Sequence, residues 1–133
     1  MVNKHNKGFT LVETLVAMFL LAILLIGLLA GLITAYDIST KNALRDEAVK
    51  IAQEYSEKYR SMKYENINIG SQNYTIMRPI RNSTVSYAVN INTTSAIGGN
   101  MKKINITVSW NYKGKTYSYT TETLIRKEWY EKQ

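Results

Sequence analysis

One carboxylate stands where a carboxylate is costly. Glu13 lies near the start of the run KGFTLVETLVAMFLLAILLIGLLAGLITAY (7–36), and between it and Asp37 there is no Asp, Glu, Lys, Arg or His. An ionised acid at the centre of a bilayer costs about 2.5–3.5 kcal/mol on insertion scales, and less near the interface. Two chemistries answer to such a position. The acid either sits at a helix end and reaches the interface, or is held for a positive partner inside the apolar phase.

The rest of the chain offers little reactive chemistry. His5 is the only histidine and there is no cysteine, which leaves no Ser-His-Asp arrangement and no His/Cys metal site beyond residue 5. There is no P-loop and no GxGxxG, and Gly98-Gly99 reads as a turn. Glu122, Glu128 and Glu131 are scattered in a polar, basic context and read as solvated carboxylates. No enzyme activity and no cofactor are expected. A second candidate is a basic aromatic set: Lys102, Lys103, Lys113, Lys115, Arg126 and Lys127 with Tyr112, Tyr117, Tyr119 and Trp129. Such a surface could hold a phosphate backbone and stack bases, making DNA a conceivable partner. The competing reading is solvated strand faces with aromatics in the core, and it is preferred because Tyr and Thr are good strand formers.

The elements that must position these residues follow from hydrophobic period. At about 1.5 Å per residue the uncharged run makes a helix of roughly 33 Å, enough to cross a hydrocarbon core about 30 Å thick. Lys4, His5 and Lys7 precede it with no acid, so the N-terminus is expected in the cytoplasm and the chain after Asp37 outside. Gly27 and Gly31 form a small-xxx-small pattern within the span, read as flexibility combined with close helix packing. From Asp37 the helix becomes amphipathic. Leu44, Ala48, Ile51, Tyr55, Tyr59 and Met62 recur at helical spacing, with charges between them. Asp46 to Lys50 and Glu54 to Lys58 are i, i+4 pairs of a few tenths of a kcal/mol each.

After Glu65 the period changes from 3.6 to 2. A loop is expected over 65–73 and a strand over 74–78 ended by Pro79, which belongs on an edge. Val85, Tyr87, Val89 and Ile91 mark a second strand, and TTSAIGGN (93–100) reads as a loop. Ile104, Ile106, Val108 and Trp110 mark a third strand. A turn at 112–115 leads to a return strand with Tyr117, Tyr119, Thr121 and Thr123 on one side. The expected fold class is α+β, a long N-terminal helix packed on a small antiparallel β-sheet head. Without cysteines that head must hold together by packing and pairing alone. The formal charge of +7 would suit an acidic partner, although Lys4 and Lys7 supply two of the seven.

Lys7-Gly8-Phe9-Thr10-Leu11-Val12-Glu13 followed by an unbroken apolar helix resembles the N-terminal motif of type IV pilins and type II secretion pseudopilins. The resemblance implies a leader of residues 1–8 cut between Gly8 and Phe9 by a prepilin peptidase that also N-methylates Phe9. It implies a membrane and filament-core helix over 9–36 and a head over 37–133, with the amphipathic half-helix at about 37–63 and the meander at about 74–126. It gives Glu13 the role of the assembly glutamate. Other implied partners are further pilin subunits, an assembly-platform membrane protein with its ATPase, and membrane lipid before assembly. Glu13-Thr14-Leu15-Val16-Ala17-Met18 is similar to the small minor pilins and minor pseudopilins, and Ala30-Gly31 stands where major pilins commonly place a proline. A minor subunit is therefore expected, with a major pilin as the alternative. A DNA-binding or adhesive module displayed on a filament is the alternative of another class.

The physics of Glu13 agrees with this role. Once Gly8 is removed, the Phe9 amine is a cation four residues before the carboxylate. In packed subunits the carboxylate can instead reach a neighbour's amine, and low dielectric disfavours any register that leaves either charge unpaired.

Overall fold

The computed structural model describes residues 8–96 and 98–127. The chain divides into two compact units, Met1–Thr40 and Lys41–Gln133. One helix, α1 (Leu11–Ser61), supplies most of the first unit and the opening of the second.

In the first unit the apolar side chains of α1 face outward around the whole circumference; Leu11, Phe19, Leu24, Leu28 and Ile33 are all exposed. A helix apolar all round needs lipid or other helices as its surroundings. The few hydroxyls in this stretch do not need water. Thr14 Oγ1 donates to Thr10 O at 3.3 Å, Thr34 Oγ1 to Ala30 O at 3.0 Å, and Thr40 Oγ1 to Tyr36 O at 2.9 Å. Bonding back to the preceding turn satisfies these groups within the helix, as a nonpolar phase requires. The helix runs uninterrupted through Gly27 and Gly31, and a Cβ built at either would meet nothing within 4 Å. Glycine at these positions therefore relieves no crowding inside the chain.

In the second unit α1 buries Leu44, Ala48, Ile51, Ala52, Ser56 and Tyr59, one stripe of the amphipathic half. The stripe packs on a four-stranded antiparallel meander of β1 (Gly70–Ile80), β2 (Ser83–Ala96), β3 (Met101–Tyr112) and β4 (Lys115–Arg126), in spatial order β1-β2-β3-β4. Inward positions alternate along each strand. Tyr87, Val89 and Ile91 of β2 oppose Trp110, Val108 and Ile106 of β3 across the ladder, and all six are buried. The expected α+β head with one covered face is present.

Three boundaries differ from expectation. The connector is shorter, with a 3₁₀ turn at Tyr64–Asn66 and β1 already begun at Gly70, because its polar residues pair with β2 from Gly70↔Thr93 onward. Pro79 lies inside β1, opposite Thr84, and is tolerated because β1 is an edge strand. The expected loop 93–100 is strand as far as Ala96. Thr93, only 2% exposed, pairs with Ile104 and continues the core row that Ile91 occupies. The turn itself contains Gly98 and Gly99 at φ 62° and 79°. The β3–β4 hairpin is as read: Lys113 and Gly114 both take positive φ, as a two-residue I′ turn requires.

The ion pairs on α1 also differ from the i, i+4 expectation. Glu54 pairs with Arg78 of β1 at 2.7 Å, Arg78 also lies 3.5 Å from Glu47, and Lys50 pairs with Glu47 at 3.6 Å. Arg78 reaches the helix from the sheet with a forked donor group, which a flexible lysine on the same helix does not match.

Two polar contacts tie α1 to the sheet inside the head. Ser56 Oγ and Thr123 Oγ1 lie 2.5 Å apart, joining α1 to β4, and the Tyr87 hydroxyl donates to Leu44 O at 3.1 Å. Burial pushes the Tyr87 phenol up to about 12, with the nearby Glu47 charge adding to the shift. In the unfolded chain it titrates near 10. The native state thus holds the proton where the unfolded state has lost it, so stability is complete below about pH 10 and falls between about 10 and about 12. Alkaline melts of parent and Tyr87→Phe are expected to differ in slope across that window, the Phe variant losing less stability as pH rises. Near neutral pH the same variant is expected to be about 1 kcal/mol less stable through loss of the bond to Leu44 O.

Candidate processing and assembly site

Helix α1 starts at Leu11, two residues after the expected start at Phe9, because Thr10 caps it. The Thr10 hydroxyl accepts from the Glu13 N–H at 3.2 Å. The Glu13 carboxylate reaches back: Oε2 accepts from the Thr10 N–H at 2.8 Å and from the Thr10 hydroxyl at 3.0 Å. This is a reciprocal capping box, which satisfies two N–H groups the helix cannot bond itself. Glu13 also lies in the first turn, where an anion complements the helix dipole.

The box decides how the neighbouring residues are presented. Gly8 and Phe9 lie ahead of the helix and both are exposed, Phe9 to 89%. A peptide bond in non-helical, exposed chain can be drawn into a protease site without unwinding a turn. An amine created on Phe9 would be attached directly to Thr10, whose own N–H is already bonded to the Glu13 carboxylate. One sequence signal foretells this arrangement: Thr10-x-x-Glu13 ahead of an apolar run is a capping-box signature. The reading of Glu13 as a membrane acid passed over Thr10, its nearest partner.

Structure separates the basic aromatic set. Lys102 is on the core face of β3, only 8% exposed. Its Nζ donates to Tyr64 O and Ile67 O, each at 2.6 Å, and lies 4.1 Å from the centre of the Tyr64 ring. The surface role conceived for Lys102 in the less favoured reading therefore fails, because strand alternation turns it inward. Its neighbour Lys103 is on the opposite face, paired with Glu122 at 2.6 Å. Lys113 and Lys115 flank the far hairpin, with Lys113 Nζ 5.5 Å from the Tyr112 ring. At about 3.3 Å per residue, Lys103 and Lys113 are roughly 33 Å apart along β3. Arg126 is exposed at the end of β4, opposite Met101, and the Lys127 N–H donates to Asn100 O at 2.9 Å. Trp129, Glu128 and Glu131, and His5, Lys4 and Lys7 of the leader, lie outside the described residues. Among the described residues no cluster of His, Cys, Asp and Glu could hold a metal ion.

Residues 3–29 match the family model of the prokaryotic N-terminal methylation motif. That is the prepilin-type motif of type IV pilins and pseudopilins, and in this chain it covers Gly8, Phe9, the capping box and the first turns of α1. No curated protein and no solved structure matches the chain. The motif and the long apolar helix support a processed, membrane-anchored, pilin-like subunit of a surface filament. Processing by a prepilin peptidase and assembly with other pilin subunits follow from the same motif.

Proposed function

We propose that the protein is a minor pilin or pseudopilin of a type IV pilus or a type II secretion-like filament, acting in initiation or at the tip. Residues 1–8 form the leader, 9–36 the membrane and filament-core segment, and 37–133 the head. The leader is cut between Gly8 and Phe9, Phe9 is N-methylated, and the single span lies with its N-terminus in the cytoplasm and its head outside until extraction into the filament. An assembly-platform membrane protein and its ATPase drive that extraction.

The observation that carries this reading is the coincidence of the methylation motif at residues 3–29 with an exposed Gly8-Phe9 junction just ahead of a capped helix. Mature subunits would pack through their apolar helices. Glu13 would then exchange its bonds to Thr10 for the charged Phe9 amine of its own or a neighbouring chain. The absence of a helix-breaking proline in the span supports a minor role.

Mass spectrometry of the protein from its native membrane is expected to find a chain that begins at N-methyl-Phe9. A chain that still begins at Met1 would overturn the reading. Quantifying this subunit in sheared filaments separates minor from major, a minor subunit being present at a small fraction of the principal pilin.

A further inference from the structure

On the head, residues 41–45 of α1 and the β3–β4 hairpin enclose a half-open cleft of about 240 Å³. Its apolar wall is aromatic, formed by Trp110, Tyr112 and Tyr117, with the fully buried Tyr87 behind them. Tyr87, Trp110 and Tyr117 stand in register on β2, β3 and β4, with Trp110 centred 6.0 Å from each tyrosine and Tyr117 inclined to it by only 21°. The indole is thereby flanked on both sides. Because β4 is an edge strand, the ring of Tyr117 has no strand neighbour on its far side and is the platform left for a ligand. Lys41 and Arg45 supply the cations, Asn42 a neutral hydrogen-bonding group, and no acid lines the cleft. Arg45 is exposed and makes no ion pair among the described residues.

The volume is below that of a typical drug-sized pocket and suits one ring with its substituents. An aromatic face packs against the C–H face of a sugar. An Asn amide can both donate to and accept from hydroxyls, and a guanidinium forks onto a carboxylate. A strand of nucleic acid would need successive stacking platforms and a track of cations, whereas a cleft of about 240 Å³ admits a single ring and Lys102 and Lys103 are engaged elsewhere. We infer that this cleft binds a carboxylated sugar unit of an anionic polysaccharide, so that the head carries a glycan-recognition site.

The test is calorimetric titration of the full chain in detergent micelles with oligogalacturonate, using a neutral galacto-oligosaccharide and oligothymidylate as comparators. Expected is saturable binding of oligogalacturonate that weakens with added salt, little binding of the other two, and at least a tenfold loss of affinity in Arg45→Ala. Arg45→Lys should recover part of that loss. Arg45 is exposed, so thermal melting of the alanine variant should match the parent and separate lost binding from lost fold. Equal affinity in Arg45→Ala would overturn the inference, as would equal binding of the neutral glycan or tighter binding of oligothymidylate. The cleft lies outside the motif at residues 3–29, so this result and the mass of the processed N-terminus can fail independently.

Discussion

Glu13→Ala is expected to insert into the membrane as the parent does and to be missing from filaments. Insertion does not need the acid, since removing it only makes the run more apolar. The variant loses the capping box seen in the single chain and, under the processing and assembly proposed above, also the counter-charge for a Phe9 amine in the filament. Loss of a cap costs about 1 kcal/mol and frays a helix end. An ammonium left unpaired in an apolar array costs about 3–5 kcal/mol per subunit, more than two powers of ten in association. The second effect dominates by this comparison.

Glu13→Gln separates the two, because glutamine also serves at the third position of a capping box while carrying no charge. The glutamine variant is expected to fail in assembly as fully as alanine does, with both proteins present in the membrane fraction and absent from sheared filaments. Normal incorporation of Glu13→Gln would show that the cap, not the charge, is what assembly uses.

Lys102→Ala is expected to damage the head far more than the loss of its neighbour Lys103. Two charge-assisted hydrogen bonds tie Lys102 on β3 to the carbonyls of Tyr64 and Ile67, pinning the connector between helix and sheet. The same connector is held from its other side by the Tyr64 hydroxyl, which donates to Gly99 O at 2.5 Å. Removing the ammonium leaves the buried carbonyl of Ile67 without its donor and the partly buried carbonyl of Tyr64 with the Ile67 N–H alone, together costing about 2 kcal/mol. For a head of this size that amounts to a fall in melting temperature on the order of 10 °C. Scanning calorimetry of the full chain in micelles would measure it. Lys103→Ala, one residue away on the solvent face, loses only an exposed pair with Glu122, and its melting temperature should move by little. A similar small shift in both variants would show that the buried lysine holds nothing in place.

These two lysines also show where sequence reading stopped. They are adjacent and chemically identical in the chain, and only the alternation of β3 sends one to the core and the other to water. A basic patch drawn from composition joined them, although the fold places them on opposite faces. The ion pairs of α1 failed for a related reason. Helical spacing names the neighbours a charge has within its helix, but Arg78 approaches Glu54 from another element. The loop expected over 93–100 rested on the turn-like look of Thr, Ser and Asn. Thr93, Thr94 and Ser95 extend β2 once Met101–Tyr112 is beside them to pair with their backbone, while Asn100 stays in the turn.

The sequence by itself determined the parts whose physics is local. A run without charge long enough to span a bilayer, an acid near its start, a Gly-Phe junction, helical then alternating periods, and a two-residue turn at Lys113-Gly114 each depend on residues a few positions apart. Even the Thr10–Glu13 box was within its reach, since a cap is a contact over three residues. Tertiary structure alone decided the in-register row Tyr87–Trp110–Tyr117, the burial of Lys102, and the cleft that sets Arg45 of the helix beside the hairpin. These depend on which strand lies beside which and in what register, and that is set by the packing of a whole face, not by any short stretch of chain.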